Sequence, residues 1–552
     1  VAEAPSPPVV FVLPAHSRCG TSPDNTAIEI GRVSARAADG APLEVIHNGS
    51  REWTVQGIHA GRITLDYDIR AGASRTDWVA CEGIETFLFI KGATQGVPCR
   101  LEIVAADDWR VACTLDPVVK GIHRLDVRQY VARDYEDLVD GPVECGRLEC
   151  DQLALAAGSP ETAYIVYNGE PRFDRRTVID LTEKIVTHQR AMMGPIQVDA
   201  FYFFWHVDAE QSAGSRGRHE HQRSTTIDLP QAATTRDVLA LAPLLAHGFM
   251  HLWNPKRLRN SPTASFEFVP RLPLRSLWFL EGVTDYYAQL TLLRTGVWPL
   301  SRFVRQIRGE IQHLFDNDAY RLEVVDDASL AAFDRTAMEG NVDYFNHGCL
   351  LGLLLDIEIR VATGSQKSLD DVMRLLHQRF ALPKHGFRDS DICDAAGEVA
   401  ARDFRAWFRN HVEGVRPLPL ATILARAGLI LETTESRTAE STHVLDHWLP
   451  NILVEPQGSE NDPRWVVSSA DAPRDLDIRR GDQIVNFDGR KPQRVVGERS
   501  FLGRNVVASL RDDSSRASVE MQTLRDDQSL IVTLRIPQRL RARVMDLRWT
   551  ES

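Results

Sequence analysis

From about residue 26 to 165 the chain runs in short segments of alternating apolar and polar residues, broken by Gly, Asp and Asn. Arg62–Ile69 (RITLDYDI), Thr86–Ile90 and Leu101–Val104 are of this kind. A period of two puts one face of a strand on a core and the other in water. The pattern therefore predicts an antiparallel β domain over residues 26–170. The character changes at Thr177. Arg176–Met193 has helical spacing, and Val198–Trp205 (VDAFYFFW) reads as a buried strand. Helices are predicted over 235–254, 275–296, 301–315, 348–362 and 402–411. Another is predicted over Ser368–Phe380, where Ser368 as N-cap, with Asp371 three residues on, comes close to a capping box. A mixed block (171–330) thus leads into a helical domain (331–419) that ends at EGVRPLP, and short strands return over 420–552. Residues 1–25, rich in Pro, Ser and Ala, read as a flexible arm.

Composition narrows the class. A chain of 552 residues has room for three or four domains of ~100–200 residues. Hydrophobic content of 43% and charged content of 25% suit a soluble globular protein. There is no run of ~18–20 apolar residues, so no membrane span is expected. Val9–Pro14 is short, bounded by prolines and lacks a basic leader, so it is not read as a signal peptide. The net charge is −12 and the basic residues are scattered, which argues against a nucleic-acid partner. The eight Cys form no CxxC pair, which favours buried free thiols and a reducing, cytoplasmic setting.

Three segments carry candidate chemistry. Ala246–Arg259 reads AHGFMHLWNPKRLR. His247 and His251 stand i, i+4, which on a helix puts both imidazoles on one face, a turn apart, as two ligands of one ion require. Such pairs are common in helices that bind nothing. Residues 277–287 read LWFLEGVTDYY, and Glu281 from this second helix would complete a two-His, one-Glu set. Three protein ligands and one open position make a catalytic zinc site. The third segment, Gly217–Ser224 (GRHEHQRS), follows the aromatic strand; alone, Glu220 there reads as part of a solvated charge cluster. Lys256, Arg257 and Arg259 follow a helix C-terminus, where cations suit the dipole. Asp285, one turn past Glu281, is placed to orient one of the two His. Tyr286 and Tyr287 read as core.

Together these segments resemble the M61 (glycyl aminopeptidase) family, with its HExxH followed by WNxKRxR, then LWxxEGxTxYY, and GGxEHxxS upstream. His247, His251, Trp253, Asn254, Lys256, Arg257, Arg259, Leu277, Trp278, Glu281, Gly282, Thr284, Tyr286 and Tyr287 match, as do Gly217, Glu220, His221 and Ser224. The resemblance implies a multidomain α+β fold: an N-terminal antiparallel β domain, a thermolysin-like gluzincin domain, a helical domain and a C-terminal PDZ-like domain. In the last, GDQIVNFDG (481–489) is similar to a closing strand and turn. It implies zinc on His247, His251 and Glu281. It also implies a substrate-binding loop of Gly217, Glu220 and His221, in which Glu220 pairs with a free α-amine. A PDZ-like end would take a protein C-terminus by β-addition.

The chain departs from the pattern at the chemistry. Gly248 stands where HExxH has its Glu, the general base that takes a proton from water and returns it to the leaving amine. General acid–base help is worth ~10²–10⁴ in rate. Glycine in a helix also costs ~1 kcal/mol relative to Ala, so no gain in stability is evident, and the small residue is expected to open space beside the metal for a bulkier ligand. In Y-x-K-G, whose Tyr donates to the oxyanion, Phe345 takes the Tyr place and His347 the Lys place. Tyr344 is a possible substitute, one helical step (~100°) away. The upstream Gly pair is reduced to Gly217, followed by Arg218 and His219; His219 and His221 are candidate replacement bases. The leading expectation is an M61-like zinc protein that is not a competent peptidase and binds a peptide-like or small-molecule ligand bearing an amine or carbonyl. The alternatives are a repurposed Lewis-acid enzyme acting on a non-peptide substrate in specialised metabolism, and an aminopeptidase with a substitute base.

Overall fold

The computed structural model describes residues 8–14, 30–49, 51–57, 62–69, 73–74, 77–92, 96–154, 161–195, 198–208, 220–261, 274–317, 320, 323–331, 342–439, 452–459, 462–470, 477–492, 518–525, 528–535 and 538–549. These residues form two compact units. The first comprises Val1–Ser276, Thr284–Phe303 and Ser365–Arg402, the second Leu277–Val283, Val304–Gly364 and Asp403–Ser552.

The first unit opens with small antiparallel sheets, as the alternating pattern requires. Residues 9–12, expected in a flexible arm, are instead a strand paired on both sides, with Glu52–Val55 and with Phe89–Ile90. The correction has a simple cause: Phe11 and Leu13 are buried, so this short apolar run gains more from a core than from water. The strand expected over Thr86–Ile90 is shortened to Phe89–Ile90 by a helical turn over Gly83–Thr86.

The central sheet has strands β1 (Glu149–Ala154), β2 (Thr162–Asn168), β3 (Ala200–Asp208) and β4 (Ser224–Pro230), in that order across the sheet. β1 and β2 are antiparallel, whereas β2–β3 and β3–β4 are parallel. Parallel neighbours need a crossover, and helix α1 (Arg175–Met193) is the one between β2 and β3. The expected domain boundary at residue 170 therefore cuts through one sheet. Its physical reason is that β3 is buried from Ala200 to Val207 and needs a strand on each side to satisfy its backbone.

The helical domain expected over 331–419 is likewise divided, with residues 365–402 in the first unit. Arg374 donates to the Met192 carbonyl at the end of α1 (2.8 Å), and Asp370 pairs with Arg294 (2.8 Å). The Ser368–Asp371 capping box read from the sequence is present. Among the described residues the seven cysteines are free thiols, and no helix is long and apolar enough to cross a membrane.

In the second unit, Trp278–Gly282 is a π-helical turn carrying the buried Glu281. It lies against helix Tyr344–Ala362 with almost no space between the backbones. A β-carbon on Gly348 would fall 2.1 Å from the Trp278 carbonyl oxygen, and one on Gly282 2.6 Å from Gly348 Cα. Both motif glycines therefore serve close packing. Tyr344 and Phe345 stand at the start of this helix, after the N-cap Asp343, with their rings 4.8 Å apart.

His347 is buried beside Tyr320, and neither ring nitrogen has a hydrogen-bond partner among the described residues. Burial, helped by His411, pushes its pKa down to about 3. A depressed histidine is neutral in the fold, so this site costs stability as pH falls from the unfolded value of ~6.5 towards 3. His347→Leu is expected to hold or raise stability at pH 7.5, by up to ~1 kcal/mol, and to lessen the loss on acidification. Urea midpoints of both proteins at pH 7.5 and 5 check this; a variant weaker by more than ~2 kcal/mol at pH 7.5 would refute it.

Candidate metal centre

The single helix expected over 235–254 is two. Thr235–Ala240, with a capping box at Thr234, ends at Leu241, and α2 (Ala242–Met250) begins there. Pro243 at the start of α2 lacks the N–H that a continuous helix would use. His247 lies in the last turn of α2 and His251 is its C-cap residue. Gln189 of α1 donates to the Ala246 carbonyl (2.8 Å) and to Thr291 Oγ1 (3.2 Å), fixing the helix from behind.

Both imidazoles are buried and their Nε2 atoms lie 2.7 Å apart. The opposite nitrogens are already committed. His251 Nδ1 is 2.7 Å from the Asn254 carbonyl oxygen, which can only accept, so this nitrogen carries the proton. His247 Nδ1 lies 2.5 Å from Asp285 Oδ1 and donates to the carboxylate. Asp285 thus takes the orienting place foreseen for it, and on His247. With each Nδ1–H donated away, both Nε2 atoms are turned to the same point. One cation can be shared there, and paired outer acceptors of this kind are what metal-bound histidines have. The third side chain of the group is Glu220. One ligand atom from each of Glu220, His247 and His251 lies within 4.8 Å of the other two. Two imidazoles and a carboxylate suit zinc.

Glu220 is held in place by the turn that carries it. His221 N–H donates to the Ser224 carbonyl (2.8 Å), and Glu220 bridges to Thr225 at the start of β4. The N-terminal sheets grip the same turn from outside. His221 Nε2 lies 3.1 Å from Glu82 Oε2, Gln222 N–H donates to Asp140 (2.8 Å), and Arg223 pairs with Asp116 (2.8 Å). The His221 imidazole is buried against Glu82 and is not the solvated side chain its sequence context suggested. Gly217, with Arg218 and His219, lies outside the described residues.

Gly248 is explained by packing. A β-carbon there would lie 2.4 Å from Thr225 Oγ1 and 3.2 Å from Thr225 Cβ, far inside van der Waals contact. The expected open space beside the metal does not exist on this side, because the Thr225 side chain of β4 fills it. Glycine lets helix and strand approach, which is the structural gain the sequence did not reveal. The only sequence signal for Thr225 was its place one residue beyond the matched Ser224. Two of the cations after α2 make structural contacts: Arg257 donates to the Leu252 carbonyl (2.8 Å) and the buried Arg259 pairs with Glu136 (2.7 Å). Burial, with Arg223 nearby, pushes the pKa of Arg257 down to about 10.

The sequence pattern of the M61 glycyl aminopeptidase family matches residues 240–351, and that of the peptidase M61 N-terminal domain matches residues 1–147. Among solved structures, an aminopeptidase N family protein from Idiomarina loihiensis is similar over 99% of this chain and 94% of its own, at 17% identity and a TM-score of 0.71. An M1 zinc metallopeptidase from Deinococcus radiodurans is matched over 76% of this chain and 89% of its own, at 11% identity and a TM-score of 0.44. No curated protein matches. The two M61 patterns fall in order on one chain, the second of them across the histidine pair, and the Idiomarina protein shares the fold along nearly the full length of the chain.

Proposed function

We propose that this chain is a member of the M61 glycyl aminopeptidase family that holds zinc at the histidine pair but does not hydrolyse peptides competently. One observation carries the reading: beside two histidines oriented as ligands, the base position is Gly248, and Thr225 occupies the space a side chain there would need. His247 and His251 present Nε2, with Asp285 and the Asn254 carbonyl holding their tautomers. Glu281 is the further ligand that the family motif supplies. A zinc ion held there supplies a Lewis acid that polarises a ligand carbonyl. Gly248 offers no group to accept a proton, and Phe345 no hydroxyl to donate to an oxyanion; Tyr344 is the neighbouring donor that would replace it. The ligand class is a peptide-like or small molecule bearing an amine or a carbonyl. Antiparallel strands with a tight turn at Asp488–Gly489, where both φ are positive, support a PDZ-like reading of the chain's end, with a protein C-terminus as partner.

Metal content and hydrolysis of aminoacyl substrates, measured beside a His251→Ala control, test the reading. About one zinc per chain is expected, lost in the control, with hydrolysis no faster than the control's. Strong turnover that His251→Ala abolishes would mean a working peptidase with another base. Absence of zinc from the native protein would remove the metal from the reading.

A further inference from the structure

We infer that Glu220 is itself a zinc ligand in this protein, and not the partner of a substrate amine. The inference rests on the zinc-holding reading above and concerns which side chains complete the ion's shell. Three observations converge within the first unit. A Glu220 carboxylate oxygen already lies within 4.8 Å of a ligand nitrogen of both His247 and His251. Zinc ligands stand ~2.0–2.3 Å from the ion, hence roughly 3.3 Å from each other, so a small rotation of the Glu220 side chain brings its carboxylate onto the ion.

The second observation is why the carboxylate is so near. Glu220 is bridged to Thr225, and Thr225 packs directly on Gly248 of the histidine helix. A side chain at position 248 would push the start of β4, and the bridged Glu220 with it, away from the imidazoles. The glycine removes that wedge. Loss of the base and the inward place of Glu220 are thus one packing change.

The third is anchoring. The contacts of His221 with Glu82, Gln222 with Asp140 and Arg223 with Asp116 fix the turn on its far side. A carboxylate on a pinned turn pays little entropy to bind a metal. Once on the ion, its negative charge is spent on zinc and holds a free amine less strongly. The site would then select ligands by what they offer zinc and not by an α-amino group.

Zinc competition against a chromophoric chelator, and the visible spectrum of the cobalt-substituted protein, test this on the full chain. Glu220→Gln is expected to weaken zinc binding by at least about tenfold and to alter the cobalt bands. Glu220→His, which restores a donor, is expected to recover most of the affinity with bands shifted as nitrogen replaces oxygen. Wild-type affinity and unchanged cobalt bands in Glu220→Gln would overturn the assignment. So would a Glu220→His variant that stays folded by circular dichroism yet binds no better than Glu220→Gln. His251→Ala separates the two levels: if it binds zinc as well as the native chain does, or the native chain binds none, the zinc-holding reading itself falls and Glu220 ligation falls with it.

Discussion

Gly248→Glu, which writes the missing base back into the motif, is expected to destabilise the protein and leave peptide hydrolysis at background. The first added atom is the obstacle. A β-carbon at 248 meets Thr225 Oγ1 at 2.4 Å and Thr225 Cβ at 3.2 Å, and Thr225 is 1% exposed, so it has no room to yield. Overpacking a core costs typically ~1–3 kcal/mol, against which Gly→Ala in a helix returns ~1 kcal/mol. Gly248→Ala should therefore fall between neutral and ~2 kcal/mol less stable. Gly248→Glu adds a buried carboxylate and should lose more than ~3 kcal/mol. Thr225→Gly takes away the atoms in conflict. Combined with Gly248→Glu it should recover stability beyond the sum of the single changes, with a coupling of ~1–3 kcal/mol. Denaturant unfolding of the four proteins reads this directly. A Gly248→Glu protein as stable as the native one would show that the strand gives way easily. Only in the Thr225→Gly background does an aminopeptidase assay report on the rest of the machinery.

The second large effect lies away from the metal centre. His206 of β3 is buried between two carboxylates: Nε2 is 3.0 Å from Glu144 Oε1 and Nδ1 is 2.9 Å from Asp228 Oδ1. Asn168 of β2 donates to the other Glu144 oxygen. In the sheet register His206 stands opposite Asn168 and Asp228, while Glu144 comes from the strand Pro142–Gly146 of a neighbouring sheet. The cluster therefore joins two sheets. Burial alone would lower the His206 pKa, but Glu144 and Asp228 outweigh it and raise it to about 10. His206→Leu leaves two carboxylates without their cation and should cost ~3–5 kcal/mol. A raised histidine contributes fully below its unfolded pKa of ~6.5 and loses its contribution as pH rises through about 10. The gap between native and variant midpoints should accordingly be widest near pH 6 and narrow from ~6.5 to about 10. A gap below ~1 kcal/mol at pH 7 would mean that the cluster is dispensable.

The elements legible in the sequence were those whose cause lies within a few residues. The i, i+4 pair of His247 and His251, the Ser368–Asp371 cap and the apolar run of β3 each follow from local periodicity or local hydrogen bonding. Errors came where a longer-range partner decided the outcome. Val9–Val12 looked like part of an arm because its partners lie some 40 and 80 residues on. The domain boundary at 170 was misplaced because β2 and β3, on either side of α1, share one ladder.

By itself the sequence determined the family motifs, the loss of a side chain at 248 and the helical spacing of the two histidines, because all of these are properties of adjacent residues. Only the tertiary structure decided what those features mean. It placed Thr225 over Gly248, Asp285 against His247, Glu220 beside both imidazoles, and His206 between Glu144 and Asp228. Each of these depends on how closely a helix and a strand, or two sheets, approach each other. That distance is set by the sum of packing over a whole core, and no local window of sequence contains it.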